Sequence, residues 1–337
     1  MSTLNVGIVG LGVGEAHIAG WETRPNVRVT DLCDISAEKL AEVGWRHPGK
    51  TTTLDPDEIL KNPHIHAVSI ASYDDAHHAQ IITALKHGKH VFAEKPLCLH
   101  DWQWQEIRDA LADNPQCHLS SNLILRQSPR FRELRQDRLN GKYGDIYMLE
   151  GDYNYGRIHK IIDGWRGKIA NYSIVHGGAI HLIDLMQWLT GKKIRQVAAF
   201  GTDLAIRDHG LDIDDTVVAL LKFDDGLIGK VSSNFSCVYP HFHKLTVYGT
   251  KATFENGIDS AAIYQSRDPG VAPKEINTAY PGIQKGDLIP SFVDGILKKG
   301  TPIVSAEDTL SCMAACLAIE RSLKSGQFET VTSLSSE

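Results

Sequence analysis

Leu4-Asn5-Val6-Gly7-Ile8-Val9 runs without a break into Gly10-Leu11-Gly12-Val13-Gly14. The first six residues are a short apolar run ending in glycine, the pattern of a strand buried on both faces in a parallel sheet. The spacing of the residues that follow predicts a helix over 13–23. Strand, glycine turn and helix in that order make the first unit of an α/β fold. The alternation continues. Val27 to Asp34 reads as the next strand, and Ser36 can cap a helix whose exposed side carries Glu38 and Lys39. Ala67-Val68-Ser69-Ile70 and His90-Val91-Phe92-Ala93 read as two more strands. Between them Ile81, Ile82 and Leu85 have helical spacing, and Gly88 is a helix stop. A helix over Asp101 to Leu111 and a strand over His118 to Ser121 complete residues 1–122 as a doubly wound parallel sheet of Rossmann type.

After residue 122 the rhythm changes, which predicts a second domain over 123–337. A helix near Pro129–Asn140 leads to a strand-like run from Ile146 to Tyr155 and then a helix around Ala179–Leu189. Val197–Thr202, Thr216–Phe223 and Ile228–Phe235 follow as strands, with Asp224-Asp225-Gly226 as a tight turn between the last two. Leu245–Tyr248 and Thr253–Glu255 flank Gly249-Thr250-Lys251, and an apolar helix from Thr309 to Leu323 ends at Gly326. Such runs predict an α+β domain with a large, mostly antiparallel open sheet and helices on one face. Its other, apolar face would need covering, which predicts a homo-oligomer.

A length of 337 residues exceeds one ordinary core and fits two domains. Apolar content of 42%, charged content of 23% and a net charge of −6 suit a globular protein with no basic field for nucleic acid. No apolar run approaches the ~20 residues of a membrane span. The start, Met1-Ser2-Thr3 and then a strand, has neither basic segment nor apolar h-region, so export is not expected. Six cysteines without metal-type spacing fit reduced thiols in a cytoplasmic compartment; Cys312 and Cys316 read as small buried residues. His64-x-His66, His77-His78 and His241-x-His243 lack companions for a metal site and read as surface or hydrogen-bonding histidines.

Glycines 10, 12 and 14 between strand and helix would let backbone approach a pyrophosphate at the helix N-terminus. The spacing departs from G-x-G-x-x-G: Glu15 holds the third position and Gly14 comes one residue early. Asp34, ~20 residues on at the end of the second strand, can accept bonds from a ribose and would repel a 2′-phosphate, which favours NAD over NADP. The same aspartate can equally be a helix cap.

Together with Cys33-Asp34, Glu94-Lys95-Pro96 and Gly177-Gly178-Ala179-Ile180-His181-Leu182-Ile183-Asp184, this glycine turn resembles the glucose–fructose oxidoreductase / inositol dehydrogenase / MocA family nearly end to end. The resemblance implies that Lys95 lies beside the nicotinamide and the substrate hydroxyl, where desolvation and a cationic ring would lower its pKa. It implies that His181 contacts substrate and shares the acid/base work. Asp184, three residues on, would orient His181 or bind a sugar hydroxyl. Cofactor contacts are expected from Gly10, Gly12, Val13, Gly14, Asp34, Ser72, His77, Glu94 and Lys95. Many members carry an aspartate four residues before the histidine; here that residue is Gly177. Asn122 and Arg126 follow the last cofactor-domain strand, and Tyr153, Trp165 and Arg166 precede the histidine helix. Aromatic rings there can stack on a sugar and arginines can hold an anion, although packing explains each about as well. The implied activity is NAD-dependent hydride transfer from a secondary hydroxyl of a sugar, cyclitol or nucleotide-linked sugar, in a homodimer or homotetramer. An NAD-using glycoside hydrolase of the same fold and a redox-silent NAD- or ligand-binding regulator stay open as alternatives.

Overall fold

The computed structural model describes residues 3–170 and 172–333, and counts below refer to those residues. The chain forms two compact units. One is the stretch ending at Ile124 together with Ile283–Leu310; the other is Leu125–Gly282 together with the stretch beginning at Ser311.

The first unit holds six strands: β1 (Leu4–Val9), β2 (Val27–Cys33), β3 (Thr51–Thr53), β4 (Ala67–Ile70), β5 (His90–Ala93) and β6 (Leu119–Ser121). All pairs are parallel and the order is β3-β2-β1-β4-β5-β6. The winding direction reverses between β1 and β4, and the carboxyl ends of such strands form the ligand crevice of this fold. Helices α1 (Leu11–Trp21), α2 (Ala37–Arg46), α3 (Asp57–Leu60), α4 (His77–Lys86) and α5 (Asp101–Asp113) connect the strands. Ser36 caps α2, accepting the Lys39 N–H. Helix α1 starts two residues earlier than its apolar spacing predicts, because Gly10, at φ 86°, turns the chain directly out of β1.

Sequence analysis puts all of 123–337 in one domain, whereas Ile283–Leu310 joins the first unit. The reason is an apolar helix, Ile289–Ile296. Its Phe292 ring lies 5.8 Å from both Trp21 of α1 and Phe92 of β5, and all three are buried.

The second unit is built on nine strands: β7 (Ile146–Asn154), β8 (Ile194–Thr202), β9 (Thr216–Phe223), β10 (Ile228–Asn234), β11 (Phe242–Gly249), β12 (Thr253–Asn256), β13 (Ala261–Tyr264), β14 (Lys274–Ile276) and β15 (Glu329–Thr330). Their order is β14-β13-β12-β11-β7-β10-β9-β8-β15. Only the central β7–β10 pair is parallel. Helices α6 (Pro129–Leu139), α7 (His159–Ile162) and α8 (Ile180–Thr190) accompany the sheet. A π-turn, Val175–Ala179, leads into α8, every residue of which is buried. Gly151 of β7 lets α8 come close: a Cβ there would lie 3.2 Å from Leu182 Cδ1. The closing helix Ala306–Ser325 seats Cys312 against the Ile180 carbonyl at 3.4 Å. On the opposite face Phe200 (80% exposed), Leu220 (59%), Val218 and Ile228 stand open to solvent. No described helix is long and apolar enough to cross a membrane.

Truncating Phe292→Ala removes the ring shared by Trp21 and Phe92 and is expected to cost about 3–5 kcal/mol in urea unfolding. A loss under about 1 kcal/mol would mean that Ile289–Ile296 is not part of the first unit's core.

Candidate active site

Gly10, Gly12 and Gly14 do three different things. Gly10 has a positive φ, and a Cβ there would strike the Ala71 backbone at the end of β4. Nothing lies within 4 Å of a Cβ on Gly12, so the backbone there is open to a ligand. Gly14 is buried, and a Cβ would come 2.8 Å from Ile8 of β1, so its bareness seats α1 on the sheet. Val13 stays partly exposed on the turn. Glu15, in the place of a third glycine, points to α2 instead and is held by Arg46 (2.7 and 2.8 Å), which keeps its carboxyl below the usual range.

Asp34 binds the turn from the side. Its Oδ2 accepts the Leu11 N–H at 2.8 Å and its Oδ1 accepts the Ser36 N–H at 2.8 Å. The ribose and capping roles therefore do not compete: a carboxylate has about four acceptor positions, and two are used. These features together fit a dinucleotide, with Gly10 to Val13 for its phosphates and Asp34 for its ribose.

Lys95 follows β5 and is half-buried, with a cis peptide to Pro96. The residues on either side are anchored. On one side Glu94 is enclosed: Asn122 donates to its Oε1 at 2.7 Å, and His17 Nε2 stands 3.3 Å from the same oxygen. Asn122 Nδ2 also donates to the Lys285 carbonyl at 2.9 Å. Burial alone would raise the Glu94 pKa, but His17, the Lys285 charge and Asn122 outweigh it and bring it down to about 2. On the other side His77 spans two carbonyls, with Nδ1 2.6 Å from Pro96 O and Nε2 3.1 Å from Ser72 O. His77 and Glu94, both expected at the cofactor, are buried next to Ser72 and Lys95, and His77 exposes no surface at all. Ser72 is half-buried and donates to Gln80 at 2.7 Å.

In the second unit Arg126 and Asp184 come together. Arg126 donates from Nε to Oδ2 at 2.9 Å and from Nη2 to Oδ1 at 2.6 Å, and both side chains are buried. The bidentate pair satisfies a charge that could not otherwise stand inside the fully buried α8. His181, one turn before Asp184, is likewise buried. Tyr153 packs on Gly178 of the π-turn, and a Cβ on Gly177 would strike the Tyr172 hydroxyl. A side chain at Gly177 would thus require the Tyr172 ring to move. Burial pushes the Tyr153 phenol up, with the Arg166 and Arg157 charges opposing. Trp165 and Arg166 are half-buried and pair with each other, the guanidinium 4.4 Å above the indole.

Sequence reasoning missed the side chains around His181. Its ring meets His243 edge-on at 6.0 Å, and His243 meets His241 at 5.1 Å and Tyr153 at 5.0 Å. The His241-x-His243 spacing was the available signal. Among the described residues no group of three or more His, Cys, Asp and Glu has the geometry to hold a metal.

Glu94 also gives a pH signature. Its folded pKa lies below the ordinary 4.5, so its stabilisation is complete above about pH 4.5 and is lost as pH falls towards 2. Glu94→Gln is expected to lower stability at neutral pH by about 2–3 kcal/mol. Urea titrations at several pH values should show the gap to wild type closing below about pH 4.5; a gap independent of pH would sink this account.

Comparisons with known proteins agree with this architecture. Residues 4–122 match the oxidoreductase family with an NAD-binding Rossmann fold, and residues 131–255 match the GFO/IDH/MocA C-terminal domain. A myo-inositol 2-dehydrogenase of Thermotoga maritima is 23% identical over 338 residues, covering 95% of this chain and 96% of that one. Among solved structures, a levoglucosan dehydrogenase in complex with NADH and L-sorbose superposes with a TM-score of 0.86 at 22% identity, covering 99% of this chain and all of that one. A scyllo-inositol dehydrogenase from Lactobacillus casei, with bound NAD(H) and scyllo-inositol, gives 0.81 at 22% identity, with coverage of 98% and 100%. With both halves matched in order, the chain belongs to the glucose–fructose oxidoreductase / inositol dehydrogenase / MocA family of oxidoreductases.

Proposed function

We propose that this oxidoreductase uses NAD to oxidise a secondary hydroxyl of a sugar, a cyclitol or a nucleotide-linked sugar, or to run the reverse reduction. The observation that carries the reading is Lys95, presented at the carboxyl end of β5 between two anchored neighbours, in a chain whose relatives are named inositol and levoglucosan dehydrogenases. When bound, the nicotinamide accepts the hydride from the carbon that bears the hydroxyl. Lys95 takes the hydroxyl proton, and His181 hydrogen-bonds the substrate and shares the proton work. Asp184, neutralised by Arg126, positions α8 and with it His181. Tyr153 and Trp165 offer ring faces to the apolar side of a sugar, and Arg166 offers donors, whereas both amide protons of Asn122 are already given to Glu94 and the Lys285 carbonyl. The Asp34 carboxylate beside the glycine turn selects against a 2′-phosphate, and no arginine follows it in Ile35-Ser36-Ala37.

The exposed apolar residues of the open sheet face support a homodimer or homotetramer formed through that face. No disulfide joins any of the six cysteines, which suits a reducing compartment, and we place the enzyme in the cytoplasm.

Incubating the protein with NAD and a panel of myo-inositol, scyllo-inositol, levoglucosan and nucleotide-linked sugars is expected to generate NADH. Lys95→Met and His181→Ala should each lower turnover by about a hundredfold or more, with NAD affinity by calorimetry within about threefold of wild type. Binding of NAD without turnover of any panel member would overturn the dehydrogenase reading. NADP is expected to bind at least about tenfold more weakly than NAD, and equal affinities would remove Asp34 from the argument. Light scattering should give a multiple of the monomer mass, shifted towards one chain in Leu220→Glu; a monomeric wild type would refute the oligomer.

A further inference from the structure

The histidine pair on β11 that the proposed chemistry leaves unused sits in a network whose proton positions can be deduced one after another. Arg130 has only donors, and its Nη1 donates to Asn256 Oδ1 at 2.7 Å. That orients the buried Asn256 amide: its Nδ2 donates to the His243 carbonyl at 2.8 Å. The His243 backbone N–H donates to the Tyr280 phenol oxygen at 3.0 Å. A tyrosine hydroxyl has two acceptor positions and one proton. That N–H fills one acceptor position of Tyr280, and among the described residues the acceptor within reach of its proton is His243 Nδ1, at 2.7 Å. Burial keeps this phenol neutral, its pKa pushed up to about 12. With Nδ1 accepting, the neutral imidazole carries its own proton on Nε2, on the side of the ring away from Tyr280.

We propose that His243 is a specificity-determining residue of the substrate site: a neutral imidazole locked as a donor at Nε2, which hydrogen-bonds an oxygen of the sugar or cyclitol handled by His181. The placement supports this role, since the His243 ring is edge-on to His181 at 6.0 Å and lies 5.0 Å from Tyr153. Arg130, Asn256 and Tyr280 are positioning residues: the first two hold the His243 backbone and Tyr280 fixes the tautomer. The proposal rests on the dehydrogenase reading above.

Two substitutions separate a substrate role from a structural one. In His243→Gln the amide nitrogen can stand near Nε2, which preserves a donor towards substrate but abandons Tyr280. In His243→Asn the amide oxygen stands near Nδ1, which keeps the bond from Tyr280 but removes the outer donor. With the panel substrate that wild type turns over, kcat/KM is expected to fall about tenfold further in His243→Asn than in His243→Gln, one hydrogen bond's worth. The reverse order, or equal losses, would show that His243 serves only the network and would overturn the proposal. Histidine-selective 15N NMR of the wild-type protein should show the Nε2–H tautomer for His243, and Tyr280→Phe should convert it to a mixture. An Nδ1–H tautomer in wild type would overturn the proposal independently of any activity. If wild type turns over no panel member, the dehydrogenase reading fails and the substrate role of His243 falls with it. A failure confined to the His243 variants leaves that reading standing.

Discussion

A carboxylate kept ionised inside a protein needs donors on several sides, and the first unit is arranged to supply them to Glu94. His17 reaches it from α1, Asn122 from just beyond β6, and the Lys285 charge from the segment that returns to this unit late in the chain. Each partner is itself tied down. His17 Nδ1 stands 2.8 Å from the Ser69 hydroxyl of β4, and Asn122 also holds the Lys285 backbone. The result is that the end of β5 is fixed to three other parts of the unit at one point. Lys95 is the next residue. Beyond it the Pro96 carbonyl lies 2.6 Å from His77 Nδ1, and the Ser72 carbonyl lies 3.1 Å from the other nitrogen of the same ring. An amine that accepts and releases a proton, the role proposed for Lys95, gains from such anchoring, because little freedom is left to lose when substrate arrives. The stabilisation is charge-dependent, so the scaffold and the site share their sensitivity to acid.

Much of this was readable before any coordinates. Leu4–Val9 and His90–Ala93 are apolar on both faces because helices cover both faces of a parallel sheet, and an unbroken apolar run is a strong signal. Helix α8 was legible as well, read as a helix around Ala179–Leu189. Its polar residues could not be sorted in advance. Burial all round removes the amphipathic stripe, so nothing in the spacing of His181, Asp184 and Gln187 says which of them pairs inside the fold. Strands β3, β13, β14 and β15 went unseen because two to four residues do not establish an alternation, and β3 is three threonines. The return of Ile283–Leu310 was hidden too. Local periodicity reveals that Ile289–Ile296 has an apolar face, not that Trp21 and Phe92 are what it covers.

The glycines show why a motif is better judged by the job of each residue than by its spacing. Gly14 comes one residue early for G-x-G-x-x-G, yet it performs the helix-to-strand packing that the third glycine provides in that motif. Glu15, which at that position would set a carboxylate near bound phosphates, is turned aside and neutralised by Arg46. At the other glycine pair the order of cause is reversed. Gly177 and Gly178 do not free the backbone for a turn; they make room for the rings of Tyr172 and Tyr153, and an acid at position 177 would collide with the first of these. The missing aspartate is therefore coupled to the aromatic packing around His181, and restoring it would require Tyr172 to move.

Two of the buried polar networks of the second unit begin at an arginine, and this has a directional consequence. Arginine donates through every nitrogen and accepts nothing, so whatever it binds must present an acceptor. Arg126 thereby holds Asp184 as a carboxylate within α8, whereas Arg130 orients a neutral amide that grips the backbone of His243, whose imidazole meets the Tyr280 phenol. The first network settles a charge; the second settles a tautomer. A polyol presents many similar hydroxyls, each able to donate or accept, and shape alone distinguishes them poorly. A fixed donor removes half of the pairings such a group can make and so discriminates among orientations of one ring. That selection requires the proton to be committed before the ligand arrives, which is what the hydrogen bond from the Tyr280 hydroxyl to His243 Nδ1 accomplishes.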